Sequence, residues 1–481
     1  MRDNARVTRV AIIGGGPGGY EAALVAVQLG AEVTLVERAG LGGSAVLTDC
    51  VPSKTLIATA ELMSLAAESG ALGVRLGDAG AGEAGADTAK SVGVDLAVVN
   101  ARVKRLAHAQ SSDIAATMKH GGVSVLAGHG RLVPSSTGSG GCAVEAALDD
   151  GAVERVEADL VLLATGARPR ALPGVVADGE RILTWEQLYE LSELPARLIV
   201  VGSGVTGAEF ASAYHALGSE VVLVSSRDRV LPGEDADAAE VLEGVFRRRG
   251  MTVMSQARAQ AVERTADGVV VRLQDGRSVE GSHCLLAVGS TPNTADLGVE
   301  DVGVRLDERG FIVTDRVSRT SARGIYAAGD CTGILMLASV AAMQGRIAMW
   351  HALGDAVTPL DLRTVSSNVF TDPEIATVGY TQREVDAGEV NAHAIKLPLA
   401  TNARAKMQNI HDGFVKLFAR PGTSIVVGGV VVAPKASELI FPVALAVDQR
   451  LTVDQLAQTF TVYPSLTGSI AEAARQLHHR G

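Results

Sequence analysis

Aromatic residues and cysteines are scarce in this chain of 481 residues. It has 2 Trp, 6 Tyr and 8 Phe, so Val, Leu, Ile and Ala must pack most of the core. Its four cysteines are too few for a disulfide framework, and no two have the C-x-x-C spacing of a zinc knuckle, so no metal site is predicted. This cysteine usage favours a reducing, cytoplasmic location.

An excess of positive charge and long apolar runs are also lacking. Lys and Arg total 43 against 54 Asp and Glu, a net charge of −11, which argues against nucleic-acid binding. No apolar run approaches the roughly 18 residues of a membrane span, so no integral membrane segment is expected. Apolar residues nevertheless make up 47% of the chain, enough for a large core. A length near 480 residues favours about three domains.

A strand, a glycine-rich turn, a helix and a second strand are predicted near the start of the chain. Arg9–Ile13 is apolar and rich in β-branched residues, and the turn occupies residues 14–19. Residues 20–29 have helical apolar spacing, and Glu32–Glu37 is the second strand. Such a βαβ unit around G-x-G-x-x-G is typical of a dinucleotide-binding domain with a parallel sheet.

Three glycines of this turn and the acid that ends the second strand each have a physical role. Gly14 permits the tight turn, Gly16 lets a pyrophosphate approach the backbone, and Gly19 lets the helix pack closely on the strand. The helix N-terminus favours the phosphate charge. Glu37, at the end of the second strand, is placed to bond the 2′- and 3′-hydroxyls of an adenosine ribose. The first site is therefore predicted to bind an adenosine dinucleotide without a 2′-phosphate.

The same pattern returns from Arg197 onward. Arg197–Val201 is a strand, residues 202–207 form the turn, residues 208–217 form a helix, and Glu220–Val224 is the next strand. Two such units predict two nucleotide sites, one for a bound prosthetic group and one for the nucleotide that reduces it.

The second unit differs from the first at the ribose position. Ser225 or Ser226 stands there instead of a carboxylate, and Arg227 and Arg229 follow. Arginine attracts a 2′-phosphate that an acid would repel, so NADPH is favoured. The alternative is that these arginines only face solvent, in which case NADH is an equally suitable coenzyme.

Several further motifs follow in a fixed order along nearly the whole chain. They are Leu41-Gly42-Gly43, Val51-Pro52-Ser53-Lys54, Ala164-Thr165-Gly166, residues 324–330, residues 413–417 and residues 436–440. Together with the two glycine turns, they resemble the flavoprotein disulfide reductases, which include lipoamide dehydrogenase, glutathione reductase, mercuric reductase and soluble transhydrogenase.

This resemblance implies an α/β fold, with two Rossmann-like dinucleotide-binding domains and a C-terminal α+β dimerisation domain. Residues 1–165 would form the FAD-binding domain, to which residues 290–360 return. Residues 166–289 would form the NAD(P)H-binding domain and residues 361–481 the interface domain of a homodimer.

The resemblance also implies the residues of both nucleotide sites. For FAD they are Gly14, Gly16, Pro17, Gly18, Gly19, Glu37, Arg38, Gly43, Ser44, Lys54, Gly130, Thr165, Gly166, Asp330, Met336, Leu337 and Ala338. For NADPH or NADH they are Gly202, Gly204, Val205, Thr206, Gly207, Glu209, Ser225, Ser226, Arg227 and Gly289.

The chain departs from the family pattern at its redox centre. In G-G-x-C-x-N-x-G-C-x-P-S-K the outer cysteine position is Ala45, so only Cys50 remains and no disulfide can form in this segment. In H-x-H-P-T-x-x-E, Tyr463 replaces the catalytic His and Gly468 replaces the Glu. A phenol stays protonated near neutral pH and is no base for a thiol. The dithiol relay is therefore predicted to be absent.

What remains is hydride transfer from NAD(P)H to FAD. Lys54 and Glu209 match the family's ion pair beside the flavin, and Lys54 would stabilise negative charge there. The predicted function is FAD-dependent NAD(P)H:quinone oxidoreductase, with Cys50 and Tyr463 of the partner subunit lining the acceptor slot. Two alternatives stay open: a soluble pyridine nucleotide transhydrogenase, and a non-catalytic FAD-bound structural or sensor subunit.

Overall fold

The computed structural model describes residues 7–74, 92–135 and 142–478. These residues form two compact units. The first unit comprises Met1–Thr55, Ala101–Arg170 and Gly289–Asp361, and the second comprises Leu56–Asn100, Ala171–Val288 and Leu362–Gly481, each over its described residues. The division into three domains that the family resemblance implies stays a prediction.

The strands and helices are numbered along the chain. The strands are β1 (Arg9–Ile13), β2 (Glu32–Glu37), β3 (Ser124–Pro134), β4 (Cys142–Leu148), β5 (Val153–Ala158), β6 (Leu160–Leu163), β7 (Ala167–Pro169), β8 (Ile182–Leu183), β9 (Arg197–Val201), β10 (Glu220–Val224), β11 (Thr252–Met254), β12 (Ala259–Arg264), β13 (Val269–Leu273), β14 (Ser278–Gly281), β15 (His283–Leu286), β16 (Ser290–Pro292), β17 (Ile325–Ala327), β18 (Ser366–Val369), β19 (Glu374–Gly379), β20 (His393–Pro398), β21 (Phe414–Ala419) and β22 (Val426–Ala433). The α-helices are α1 (Pro17–Gln28), α2 (Gly43–Leu47), α3 (Cys50–Glu68), α4 (Leu96–His120), α5 (Val205–Leu217), α6 (Ala236–Arg248), α7 (Ala338–Ala352), α8 (Gln382–Asp386), α9 (Ala403–Met407), α10 (Ala436–Leu439), α11 (Phe441–Asp448), α12 (Val453–Gln458) and α13 (Gly468–His478).

The first unit is built on a seven-stranded sheet in the order β17-β6-β1-β2-β3-β4-β5. Strands β17, β6, β1, β2 and β3 run parallel, and β4 and β5 continue antiparallel. Buried parallel strands read as continuous apolar runs, which is what β1 and β6 show. Their carboxyl ends therefore meet at one edge of the sheet, where ligands bind in such folds.

Helices α1 and α7 of this unit pack closely against each other. A Cβ added at Gly345 would lie 2.1 Å from the carbonyl oxygen of Gly18, so only glycine allows this approach. Apolar residues of α1, α7, β1 and β2 form one core, with Ile12, Leu35 and Met349 fully buried. This packing holds the loop after β1 rigidly at the carboxyl edge of the sheet.

The second unit contains three sheets. A parallel sheet has the order β11-β10-β9-β15-β8, an antiparallel sheet has the order β12-β13-β14, and a five-stranded antiparallel sheet has the order β18-β19-β22-β21-β20. Helices α11 and α13 cover the last sheet with buried Val443, Ile470 and Leu477. Two of the sheets are thus purely antiparallel. The five-stranded one, with helices packed against it, has the arrangement of an α+β fold. Within the described ranges, no helix is long and apolar enough to cross a membrane.

The bounds of both βαβ units agree closely with the sequence prediction. Strands β1, β2, β9 and β10 begin and end at the predicted residues. Helices α1 and α5 each begin three residues earlier than predicted, at Pro17 and Val205. The last three residues of each glycine turn therefore also form the first turn of the helix, where the backbone N–H groups have no partner within the helix and stay available to a ligand.

Candidate nucleotide and electron-transfer site

The loop after β1 has the geometry of a dinucleotide-binding turn. Gly14 has a φ of +103°, and a Cβ there would lie 2.2 Å from the carbonyl oxygen of Ala164. A Cβ at Gly19 would lie 1.9 Å from the carbonyl oxygen of Gly14, whereas a Cβ at Gly16 would meet nothing within 4 Å. Crowding therefore requires glycine at two positions, and open space above Gly16 leaves room for a pyrophosphate at the start of α1.

Glu37 lies at the rim of this loop. Its carboxylate accepts hydrogen bonds from the backbone N–H groups of Gly15, at 2.5 Å, and Ala39, at 2.6 Å. The neighbouring Arg38 is exposed. The carboxylate of Glu37, which is predicted to bind the ribose, is thus held beside the glycine loop by backbone N–H groups.

A second glycine segment covers the loop. A Cβ at Gly43 would lie 2.8 Å from the Cα of Gly16, and Gly43 has a φ of +56°. The Gly42 N–H donates to the carbonyl oxygen of Gly15 at 2.8 Å. Ser44 follows in the first turn of α2. The first unit therefore brings together the two glycine segments that the family resemblance assigned to FAD.

The ends of β6 and β17 place further predicted FAD residues at the same edge. Thr165 and Gly166 follow β6, and the carbonyl oxygens of both accept hydrogen bonds from Asn293 at 3.0 Å. After β17, the Gly329 N–H donates to Oε1 of Gln344 at 2.8 Å, and Asp330 follows. The remaining predicted residues are Gly130 in β3, Met336, the α7 N-cap Leu337 and Ala338, the first residue of α7.

Asp330 has an unusual environment for a carboxyl group. Burial, reinforced by the negative charge of Asp49, raises the pKa of Asp330 to about 6. Such a group gains from hydroxyl donors, and the ribityl chain of a flavin offers them. The open loop at Gly16, the rim carboxylate of Glu37 and the half-buried Asp330 together fit FAD. Sequence reasoning did not find Asp49, which replaces a glycine of the family motif.

The remaining cysteine of the active segment begins a helix. Cys50 is the first residue of α3, and Lys54, four residues later, lies on the same face of that helix. The Ser53 N–H donates to the carbonyl oxygen of Asp49 at 2.8 Å and closes the first turn. Ala45 lies in the preceding helix α2. None of the four cysteines forms a disulfide, so the segment holds none.

The loop after β9 repeats the geometry of the first loop. A Cβ at Gly202 would lie 2.1 Å from the carbonyl oxygen of Ala287, and one at Gly207 would lie 1.9 Å from that of Gly202. Gly204 again faces open space, and α5 begins at Val205. Thr206 lies in the first turn of α5, and Gly289 follows β15 with a φ of +102°.

The ribose position of the second loop is occupied by a pair of serines. The Ser225 hydroxyl is fully buried, lies 2.7 Å from the Ser203 hydroxyl and accepts a hydrogen bond from the Arg227 N–H at 3.1 Å. Ser226 and Arg227 are exposed. Of the two serines left open by the sequence, Ser226 is therefore the one accessible to a coenzyme.

Glu209 is buried in α5, with 3% of the residue exposed. Its Oε1 accepts a hydrogen bond from the Phe370 N–H at 2.9 Å. The hydroxyl of Ser212, one turn later, accepts the Asp372 N–H at 3.2 Å. A solvent-facing Glu209 is therefore excluded. Phe370 acts through its backbone, so no pattern of side chains could have indicated it.

Tyr463 lies in the C-terminal part of the second unit and is 86% exposed. Phe460 is fully exposed and Val462 is 79% exposed, so a short apolar segment faces outward. Gly468 begins α13. Tyr463 is thus available to a partner rather than packed inside its own chain.

Comparison with known families agrees with the assignment of both loops as dinucleotide-binding turns. The sequence pattern of the pyridine nucleotide-disulphide oxidoreductases matches residues 8–345, and that of their dimerisation domain matches residues 365–474. The chain belongs to this family. Membership implies FAD as cofactor and a pyridine nucleotide as coenzyme, as the sequence predicted.

Two relatives within the family illustrate its range. An NAD(P)H dehydrogenase (quinone) of Mycobacterium tuberculosis is 56% identical over 98% of this chain and 94% of its own length. A dihydrolipoyl dehydrogenase of Chlorobaculum tepidum is 35% identical over 97% of this chain and 96% of its own.

Solved structures of the family share the fold. The crystal structure of LpdA from Mycobacterium tuberculosis is similar with a TM-score of 0.92 at 56% identity, over 98% of this chain and all of that one. The HOCl-induced flavoprotein disulfide reductase RclA from Escherichia coli has a TM-score of 0.83 at 23% identity, over 97% and 99%. These likenesses confirm the predicted α/β architecture with Rossmann-like domains.

Proposed function

We propose that this protein is an FAD-dependent NAD(P)H dehydrogenase that reduces a quinone without a dithiol relay. The observation that carries the proposal is the presence of two intact nucleotide loops together with Ala45 at the position of the family's second cysteine. The name of the 56% identical relative from Mycobacterium tuberculosis supports the same activity. The low cysteine content of the chain supports a reducing, cytoplasmic location.

The chemistry that FAD would supply when bound is a hydride acceptor for NAD(P)H and an electron donor for a second substrate. The chain's part is to hold and orient it. The glycine loop after β1 would receive the pyrophosphate, Glu37 would bind the adenosine ribose, and Asp330 would accept hydrogen bonds from the ribityl hydroxyls. Lys54, near the start of α3, is proposed to stabilise the negative charge that the isoalloxazine would gain.

Glu209 is proposed as the partner that keeps Lys54 oriented. A buried carboxylate is costly unless hydrogen bonds and a cation satisfy it. The Phe370 N–H supplies one hydrogen bond, and Lys54 is proposed to supply the cation. Because each charge would be expensive alone, the two residues should act as a unit.

NADPH is the proposed coenzyme. The buried hydroxyls of Ser203 and Ser225 stand where Gly15 and Glu37 stand in the first loop, so no carboxylate repels a 2′-phosphate. Ser226 and Arg227 are exposed and can donate to the phosphate oxygens.

The active form is proposed to be a homodimer. The match to the dimerisation domain supports this assembly. Phe441, Leu445, Phe460 and Val462 are exposed in the single chain, as apolar residues of a subunit interface are before assembly. Tyr463 of the partner subunit is proposed to line the acceptor slot with Cys50, which serves as a packing residue rather than a relay.

Three steady-state assays test the function. With NADPH as donor, the protein should reduce a water-soluble benzoquinone. In a separate assay with NAD⁺ as acceptor, it should fail to oxidise dihydrolipoamide. Slow or absent transfer to thio-NAD⁺ would separate it from a transhydrogenase. Robust dihydrolipoamide turnover, or FAD that NADPH cannot reduce, would contradict the proposal.

A further inference from the structure

A cavity of about 590 Å³ lies in the first unit at the amino end of β17. The segment that precedes β17, the first residues of that strand and His351 near the end of α7 form its walls. Because β1, β6 and β17 are parallel, the residues proposed to hold FAD follow these strands at the opposite edge of the sheet. The cavity is therefore separate from the FAD site.

Positive charge dominates the walls of this cavity. Arg305, Arg319 and Arg323 line it, and Asp315 is the one carboxylate among its lining residues. Nε of Arg319 lies 2.7 Å from Oδ2 of Asp315, so this acid is already paired. Across the described parts of the chain, no carboxylate pairs with Arg305 or Arg323. Two guanidinium groups thus face a cavity in a protein whose net charge is −11.

Neutral polar groups complete the walls. The Thr314 hydroxyl is buried and has no hydrogen-bond partner among residues 7–74, 92–135 and 142–478. The Tyr326 hydroxyl lies 2.9 Å from Nδ1 of His351. Thr314, Tyr326 and His351 therefore add polar side chains to the arginine-lined walls.

The segment that carries the arginines is held in one conformation. Oδ1 of Asp315 accepts the N–H groups of Val317 and Arg319, both at 3.0 Å. The Thr320 hydroxyl donates to the Ile325 carbonyl at 2.9 Å, and the Ser321 hydroxyl accepts the Arg305 N–H at 2.8 Å. A backbone fixed in this way loses little conformational entropy when a ligand binds.

We propose that this cavity binds a small oxyanion with at least two negative charges, with Arg305 and Arg323 as its charged ligands. The planar guanidinium group matches the paired oxygens of phosphates and carboxylates alike. The volume falls within the range of about 300–1,000 Å³ that is usual for small-molecule sites. The proposal is independent of the quinone activity.

Calorimetric titration of the FAD-loaded protein in excess NADP⁺ tests the site, because both nucleotide loops are then filled. Inorganic pyrophosphate is the probe in one arm and citrate in the other. Arg305→Ala and Arg323→Ala should each weaken binding by about tenfold or more. Arg309→Ala is the matched control, because its guanidinium lies over the Phe311 ring at 5.1 Å and does not line the cavity.

Pyrophosphate binding alone would assign a phosphate ligand, citrate binding alone would assign a carboxylate ligand, and binding of both would support the shared oxyanion chemistry. Failure of both anions to bind saturably at millimolar concentration would overturn the proposal. So would binding that the two cavity variants leave as tight as in the Arg309→Ala control. Quinone turnover is not part of the readout, so this result stands apart from the proposed function.

Discussion

Two pairs of residues distinguish the nucleotide loops from each other. In the first loop, the Gly15 N–H donates to the Glu37 carboxylate. In the second, the hydroxyls of Ser203 and Ser225 lie 2.7 Å apart and fill the corresponding space. This exchange removes a negative charge from the ribose position and leaves the exposed Arg227 beside it, so coenzyme choice should depend on that arginine.

Arg227→Glu should weaken the use of NADPH far more than that of NADH. The loss of a charge-assisted hydrogen bond should cost about 1–3 kcal/mol in kcat/KM for NADPH. Steady-state kinetics with both coenzymes measures the difference. Arg272→Glu is the matched control, because Arg272 pairs with Glu263 on the surface of the same unit. An equal loss with both coenzymes would show that Arg227 does not bind the 2′-phosphate.

Asp330 should make the stability of the FAD-free protein depend on pH. Its pKa of about 6 exceeds the ordinary value, so the folded state binds this proton more tightly than the unfolded chain does. Stability from this group is therefore complete at low pH and is lost as the pH rises through about 6. Asp330→Asn removes the effect, so its stability relative to the parent should grow by about 1–2 kcal/mol from pH 5 to pH 8. Urea unfolding at both pH values measures the change, and a constant difference would refute it.

At the scale of elements, a buried ion pair joins α6 to β21 within the second unit. Nζ of Lys416 lies 2.7 Å from Oδ2 of Asp235 and 2.6 Å from Oδ2 of Asp237, and only 3% of the Lys416 side chain is exposed. Asp235 also caps α6 by accepting the N–H groups of Asp237 and Ala238. The Asp235 carboxylate thus both caps the N-terminus of α6 and pairs with Lys416 of β21.

Lys416→Met should destabilise the protein by about 3–5 kcal/mol, because it leaves two carboxylates without their buried cation. Lys396 supplies a matched control. It pairs with Asp237 at 2.9 Å, but 47% of its side chain is exposed, so Lys396→Met should cost less than about 1 kcal/mol. Urea unfolding of the FAD-loaded protein measures both. Similar losses of unfolding free energy for the two variants would show that burial does not determine how strongly these ion pairs stabilise the protein.

The elements differ in how well sequence could predict them. The βαβ units were predictable because strand, turn and helix are all read from adjacent residues, as in β1 and α1. The buried pair of Lys416 and Asp235 was not, since Lys416 lies in β21 and Asp235 is the N-cap of α6, far apart along the chain, and neither type of residue indicates its partner. The burial of Ser225 was missed for the same reason, because its partner Ser203 lies in the preceding loop. Glycine patterns report local geometry, whereas polar contacts depend on the tertiary fold.

At the scale of the whole molecule, the exposed apolar residues of the C-terminal region favour a homodimer. Sedimentation should give about twice the chain mass, and Phe441→Asp should shift the population toward monomer, because Phe441 is 68% exposed in the single chain. Val176→Asp is the control, since Val176 is also exposed but lies outside the matched dimerisation domain. A fully active monomer at working concentration would contradict the assembly.

The central claim is that electrons reach the quinone without a sulfur relay. Anaerobic stopped-flow reduction by NADPH, followed by mixing with a benzoquinone, separates the two half-reactions. Cys50→Ser should keep FAD bound, reducible and rapidly reoxidised, within about threefold of the parent. Lys54→Ala should slow reduction by NADPH by about 10- to 1,000-fold, through loss of charge stabilisation. If Cys50→Ser instead left reduction intact and abolished reoxidation by quinone, the thiol would be an obligatory relay and the account would be wrong.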